Sequence, residues 1–289
     1  MSVAKPCDAS LVVLDFDGTL TDADAHAPAF HAASAREIAR LLAWDDATLR
    51  REWSRALAAV TALPEDAAWV VDGRGVCPAR VDPYVIANSV THRLLAEHRP
   101  GLTGDALVAE VLAIHHAAYH GVPPPFRPDA RRVLEALVGS GRAVRVVSNS
   151  RTQAIERLLD SLASPVRDRV VVRGNAGKFS VCATAVPDAR FEALPETVDG
   201  WDGGRPILLR RGRYFDVLRA MWDETGAGPA STLVVGDVFE LDLAMPAALG
   251  AHVHLVTRAG TMPHEQRLAQ AHARGDAGAP LAAALERLA

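Results

Sequence analysis

The sequence predicts an α/β fold, a Rossmann-like doubly wound parallel sheet core with an inserted all-helical domain. Short apolar runs recur along the chain, and each ends near a polar residue or glycine, as strands covered on both faces do. Helical patterns separate the runs, and this alternation is typical of a parallel sheet with right-handed crossovers. The predicted strands are 11–14, 143–147, 170–172, 232–235 and 252–256.

The segments between the later strands predict helices. The segment after Pro128 and Asp129 has a proline and an acid at its start and glycine at its end, which are signals of helix termini. Residues 152–162 and 213–225 repeat apolar positions at helical spacing, and the alanine-rich segment 280–289 predicts a small helix.

Residues 26–121 lack strand-like runs and predict the inserted helical domain. Ile86, Val90 and Leu94, for example, recur at four-residue intervals, as on one face of an amphipathic helix. A proline-rich connector at 121–125 ends the segment. We therefore expect a discontinuous core, 1–25 and 122–289. Within it, an extra segment at about 179–209 contains two strand-like runs, 179–186 and 205–209, which suggest a β-hairpin.

Composition restricts the class of protein. The chain has 289 residues and a formal net charge of −4, which gives no electrostatic basis for binding nucleic acid or an anionic membrane. No apolar stretch reaches membrane-spanning length, and the three scattered cysteines predict neither disulfides nor a zinc site. We expect a cytoplasmic protein without nucleic-acid or membrane partners, whose oligomeric state the sequence does not predict.

The motif D-x-D-G-T at 15–19 directly follows the first predicted strand. Ligand sites of open α/β sheets lie at the carboxyl ends of the strands, and Gly18 permits a sharp turn there. Asp15 and Asp17 can then face one pocket. Paired carboxylates suit acid/base chemistry or a hard cation.

Two further motifs follow predicted strands. Asp237 and Asp242 form a G-D-x-x-x-x-D pattern after the strand 232–235. Ser148 and Asn149 follow the strand 143–147, where a hydroxyl and the N–H groups of a helix start form a phosphate-binding site.

These motifs, in this order, resemble those of the haloacid dehalogenase superfamily, and the insertion resembles the family's helical cap in position. The resemblance implies that Asp15 is a nucleophile forming an aspartyl-phosphate, and that Asp17 is the acid/base. It implies Mg²⁺ held by Asp15, Asp17 and Asp237, with Asp242 orienting a metal-bound water. Thr19, with Ser148 and Asn149, is expected to hold the phosphoryl group of a small phosphorylated metabolite.

The resemblance implies a phosphomonoester hydrolase, since family dehalogenases and phosphonatases lack the aspartate at the position of Asp17. A sugar-phosphate phosphomutase and a non-catalytic phospho-ligand-binding protein stay open as alternatives. The family's catalytic lysine corresponds to Lys178. Because phenylalanine follows it, where the family commonly has proline, Arg210, Arg211 and Arg213 are alternative sources of the active-site cation.

Overall fold

The computed structural model describes residues 7–200 and 204–288. The strands are β1 (Leu11–Leu14), β2 (Ala68–Val71), β3 (Arg74–Pro78), β4 (Ala143–Val147), β5 (Val170–Arg173), β6 (Thr197–Val198), β7 (Ile207–Leu208), β8 (Thr232–Gly236), β9 (His252–Val256) and β10 (Gly275–Gly278). The α-helices are α1 (Ala23–Leu42), α2 (Asp46–Thr61), α3 (Pro83–His98), α4 (Gly104–Gly121), α5 (Ala130–Gly139), α6 (Thr152–Ser161), α7 (Ala189–Glu192), α8 (Gly212–Thr225), α9 (Ala244–Ala248) and α10 (Pro263–Ala271).

A six-stranded parallel sheet of order β10-β9-β8-β1-β4-β5 forms the core, which confirms the predicted fold class. Leu14 of β1 is in register with Val146 of β4 and with Val235 of β8. In the sheet, β4 and then β5 lie on one side of β1, and β8, β9 and β10 lie in that order on the other side. The end of β1 is therefore the point where the strand order reverses, and open α/β sheets bind their ligands at such a point.

Both faces of the sheet are covered by helices. Val13 packs in one buried cluster with Phe215 of α8, and Leu14 packs in another with Leu134 of α5. Alternate β1 side chains thus enter opposite layers, as the two-residue period of a strand requires. Each fully buried side chain of this size contributes about 1.5–3 kcal/mol, so β1 is a rigid support for the residues that follow it.

Residues 23–125 form a second compact unit, composed mainly of α1 to α4, and the bounds expected for the insertion lie just inside it. The unit is not helical throughout, because β2 and β3 pair as an antiparallel hairpin. Asp72 and Gly73 form its turn with φ of 50° and 72°, as a type I′ turn requires. An Asp-Gly pair after the apolar run Trp69–Val71 is a hairpin signal that outweighs the surrounding helical pattern.

The extra segment contains a hairpin, but its first strand is not the predicted one. β6 pairs antiparallel with β7, whereas 179–186 contributes a single bridge, from Cys182 to Arg211. Most side chains of 182–187 are exposed, so the apolar run there has no sheet face to cover. The predicted helix at 280–289 is a 3₁₀ helix, Leu281–Leu288, and Ala289 lies outside the described residues.

No helix in the described part of the chain has the combination of length and apolar character needed to cross a membrane.

Candidate active site

Residues from three strand ends and one loop meet at the end of β1. The Lys178 ammonium donates to Asp15 Oδ1 at 2.7 Å and to Asp242 Oδ1 at 2.8 Å. One carboxylate oxygen from each of Asp15, Asp237 and Asp242 lies within 4.8 Å of the others, and all three residues are buried. The structure therefore brings Lys178 together with three of the four predicted aspartates.

Two hydrogen bonds to its main chain hold Lys178 in place. Its N–H donates to Asn149 Oδ1 at 2.8 Å, and its carbonyl accepts from Arg211 Nη1 at 2.6 Å. Asn149, expected at the phosphate, thus uses its side-chain oxygen to position Lys178. Of the three alternative cations, Arg211 supports Lys178, Arg210 donates to the carbonyl of Leu194, and Arg213 is exposed. Lys178 is the cation that donates to Asp15.

The turn after β1 depends on Gly18, which has φ of +87°. A Cβ at this position would lie 2.3 Å from Asp237 Oδ2, so a side chain here would displace the Asp237 carboxylate. Both Nε and Nη2 of Arg127 donate to the Gly18 carbonyl, at 3.1 and 2.6 Å. Gly18 therefore allows the D-x-D-G-T motif to contact the G-D-x-x-x-x-D motif. The Arg127 side chain stabilises the turn through the main-chain carbonyl of Gly18.

Asp17 is oriented by two hydroxyl groups. Its Oδ2 accepts from Ser148 Oγ at 3.0 Å and from Ser150 Oγ at 2.7 Å. Ser148, predicted to hold phosphate, thus contacts the predicted acid/base, and Ser150 was not among the predicted site residues. The Ser-x-Ser spacing after the strand was the available signal, because Ser150 N–H also donates to Ser148 Oγ at 3.0 Å and closes the turn.

The G-D-x-x-x-x-D motif is a loop that leads from β8 into a π-helical turn, Phe239–Leu243. Asp242 Oδ2 accepts from the Val238 N–H at 3.0 Å, while its Oδ1 accepts from Lys178. A Cβ at Gly236 would lie 2.4 Å from Asp242 Cβ, so glycine at the strand end lets the aspartate fold back over it. The Asp242 carboxylate therefore links the main chain of the loop to the Lys178 ammonium.

Arg258, which follows β9, was not predicted. Its Nε donates to Asp237 Oδ2 at 2.9 Å, and the two side chains are 4% and 3% exposed. Nothing in the local sequence marks this arginine, because it lies 21 residues from its partner.

The site is electrostatically crowded. Burial raises the pKa of the Asp15 carboxyl well above its usual value; Lys178 opposes this, and the neighbouring carboxylates, Asp242 foremost, add to it. Burial also lowers the pKa of Lys178, but Asp15 and Asp242 outweigh it, so that the pKa is raised and the ammonium stays charged. Four carboxylates, with Asp17 and Asp237 included, face two cationic side chains, and a divalent cation would balance the remaining charge.

Two buried polar atoms of the first motif are available to bind a ligand. Among the described residues, Asp15 Oδ2 and Thr19 Oγ1 have no hydrogen-bond partner although both are inaccessible to solvent. An unsatisfied buried polar group costs about 1–3 kcal/mol, so such groups usually have a partner in the functional state. The donors are carboxylate and hydroxyl oxygens, which Mg²⁺ prefers, and the buried aspartate cluster therefore fits a metal site.

Comparison with known proteins shows which solved structures share the fold. No family model matches the chain, and neither does a curated protein. A haloacid dehalogenase-like hydrolase from Bacteroides fragilis is 14% identical, with 94% of this chain and 98% of that chain covered and a TM-score of 0.52. A haloacid dehalogenase-like family protein from Streptococcus pneumoniae is 11% identical, with 96% and 97% covered and a TM-score of 0.51.

The chain thus has the fold of the haloacid dehalogenase-like hydrolases. This confirms, for the fold, the resemblance that the motifs indicated.

Proposed function

We propose that this protein is a magnesium-dependent phosphomonoester hydrolase that acts on a small phosphorylated metabolite through an aspartyl-phosphate. The observation that carries the proposal is the asymmetry of Asp15. Its Oδ1 accepts from Lys178 at 2.7 Å, whereas its buried Oδ2 has no partner among the described residues. A carboxylate fixed through one oxygen presents the other as an oriented nucleophile.

The proposed reaction has two steps. Asp15 Oδ2 attacks phosphorus, the bond from phosphorus to the leaving oxygen breaks, and Asp17 gives that oxygen a proton. Asp17 then takes a proton from the water that attacks the aspartyl-phosphate, which releases phosphate and restores Asp15. We assign a phosphoryl oxygen as the partner of Thr19 Oγ1, which is buried and unpartnered within the described region, and the Lys178 charge stabilises the transition state.

The residues best suited to hold Mg²⁺ are Asp15 and Asp237, with the Asp17 carbonyl as the third ligand that the motif resemblance implies. Asp242 has both oxygens engaged, by Lys178 and by Val238 N–H, which favours a supporting role over direct ligation. The ion, when bound, would offset the repulsion between the anionic nucleophile and the anionic phosphate.

The test is hydrolysis of p-nitrophenyl phosphate with Mg²⁺ and with chelator, by the native chain and by Asp15→Asn. Asp160→Asn, at an exposed aspartate, is the matched control. We expect phosphate release that requires Mg²⁺, survives in the control and is lost in Asp15→Asn. Phosphatase activity of Asp15→Asn at the native rate would refute the nucleophile assignment.

Labelled substrate separates the alternatives. A labelled phosphoryl group that leaves the protein for water supports the hydrolase, whereas its return to a sugar phosphate as a bisphosphate would identify a phosphomutase. Phosphate binding without any labelled protein would indicate a non-catalytic binding protein.

A further inference from the structure

Arg258 forms a buried ion pair with an expected metal ligand. Its Nε donates to Asp237 Oδ2 at 2.9 Å, and both side chains are almost fully buried. The main chain of Arg258 is also fixed, because its N–H donates to Thr261 Oγ1 at 2.8 Å. The guanidinium therefore approaches Asp237 from a rigid turn after β9.

The carboxylate that Arg258 holds has little freedom to rotate. A Cβ on Gly18 would lie 2.3 Å from Asp237 Oδ2, 2.6 Å from its Cγ and 2.9 Å from its Oδ1, so the carboxylate lies against the Gly18 main chain. With Oδ2 engaged in a charge-assisted hydrogen bond, a cation that bound both oxygens of Asp237 would share Oδ2 with the cationic guanidinium, which weakens or displaces the contact with Arg258.

We propose that Arg258 restricts Asp237 to binding a metal ion through one oxygen, and that it thereby makes the site select Mg²⁺ over Ca²⁺. Mg²⁺ takes six ligands in a near-octahedral arrangement, with one oxygen from each carboxylate, whereas Ca²⁺ takes six to eight and commonly binds carboxylates through both oxygens. Arg258 is thus a positioning residue that acts through Asp237. The inference rests on the metal site of the proposed function and adds a determinant of its ion specificity.

The experiment is calorimetric titration of the full chain with Mg²⁺ and, separately, with Ca²⁺, in the absence of substrate. The variants are Arg258→Lys, which keeps the charge, and Arg258→Met, which removes it; Arg167→Met, at a partly exposed ion pair, is the control. Loss of the positive charge strengthens binding of both divalent ions by a similar factor, so the ratio of the two dissociation constants isolates the geometric effect.

We expect the preference for Mg²⁺ to fall about tenfold in Arg258→Met and by a smaller factor in Arg258→Lys, as suits the loss of one charge-assisted hydrogen bond. The control should keep the native ratio. A ratio within twofold of native in both folded variants would overturn the inference and leave the proposed function intact. A native chain that binds no Mg²⁺ would overturn both.

A second measurement needs no variant to fold. In the native chain, the ¹⁵N resonance of Arg258 Nε reports on the contact with Asp237. Saturation with Mg²⁺ should leave this N–H hydrogen-bonded, and saturation with Ca²⁺ should shift it and speed its exchange with water. Equal shifts with the two ions would contradict the inference.

Discussion

Replacement of Lys178 by methionine tests how the buried carboxylates are balanced. Each of the two contacts, at 2.7 and 2.8 Å, is worth roughly 6 kcal/mol of attraction at an effective dielectric constant of about 20. Desolvation of the buried ions cancels most of this gain, and removal of one partner from a buried pair costs about 3–5 kcal/mol. We expect Lys178→Met to lose about that much free energy of unfolding, because Asp15 and Asp242 then share no cation in the described structure.

The assay is urea denaturation at neutral pH with chelator present, followed by circular dichroism. Arg173→Met is the matched control, since Arg173 pairs with Glu224 at the surface and such pairs contribute up to about 1 kcal/mol. The double variant Lys178→Met with Asp15→Asn also removes the negative charge of Asp15, which has lost its pairing lysine, and should be more stable than Lys178→Met alone. A loss below about 1 kcal/mol for Lys178→Met, or a double variant that is less stable still, would refute this account of the site.

Three further predictions concern single side chains. Ser150→Ala removes the 2.7 Å contact to Asp17 and should lower kcat about 10- to 100-fold with little change in KM, as measured by steady-state kinetics against Ser161→Ala; an unchanged kcat would contradict it. Gly18→Ala places a methyl group 2.3 Å from Asp237 Oδ2 and should weaken Mg²⁺ binding at least about tenfold by calorimetry, whereas native affinity would show that the turn yields freely. Burial lowers the pKa of His254 to about 4 in the folded chain, whereas the pKa of this histidine in the unfolded chain is about 6.5. Between these two pH values the unfolded chain binds a proton that the folded chain does not. The native free energy of unfolding should therefore fall by about 2 kcal/mol more than that of His254→Leu between pH 7 and pH 5, and parallel pH profiles would count against this.

The strands and two of the motifs were readable from the sequence because they are local. A buried parallel strand is a continuous apolar run, and the acidic residues that follow β1 and β8 are adjacent to those runs in the chain. The positions of Asp15, Asp17 and Asp237 at one edge of the sheet follow from this adjacency once the strands are parallel. Gly236 also belongs to this local information, since it accommodates Asp242 of its own motif, whereas the contact of Gly18 with Asp237 joins two distant motifs and exists only in the folded chain.

A weaker local signal existed for the cation. Lys5 and Lys178 are the two lysines of an otherwise arginine-based chain, and only Lys178 follows a predicted strand. Choosing it over the arginines at 210, 211 and 213 still required the folded structure, in which Arg211 donates to the Lys178 carbonyl and Lys178 donates to Asp15. The hairpin of β2 and β3 was missed for a different reason: the apolar periodicity of residues 26–121 predicted helices throughout, although Asp72 and Gly73 are a local turn signal.

The amino-acid sequence was sufficient to predict the fold class and the clustering of Asp15 and Asp237 at the ends of parallel strands, because each is encoded in a few consecutive residues. The contact of Asp17 with Ser150, 133 residues away, and that of Asp237 with Arg258 are visible in the folded chain alone. Such pairs form because separate strand ends converge at the point where the sheet order reverses. Their partners are chosen by distance and burial in the folded chain, and no spacing in the sequence records those quantities.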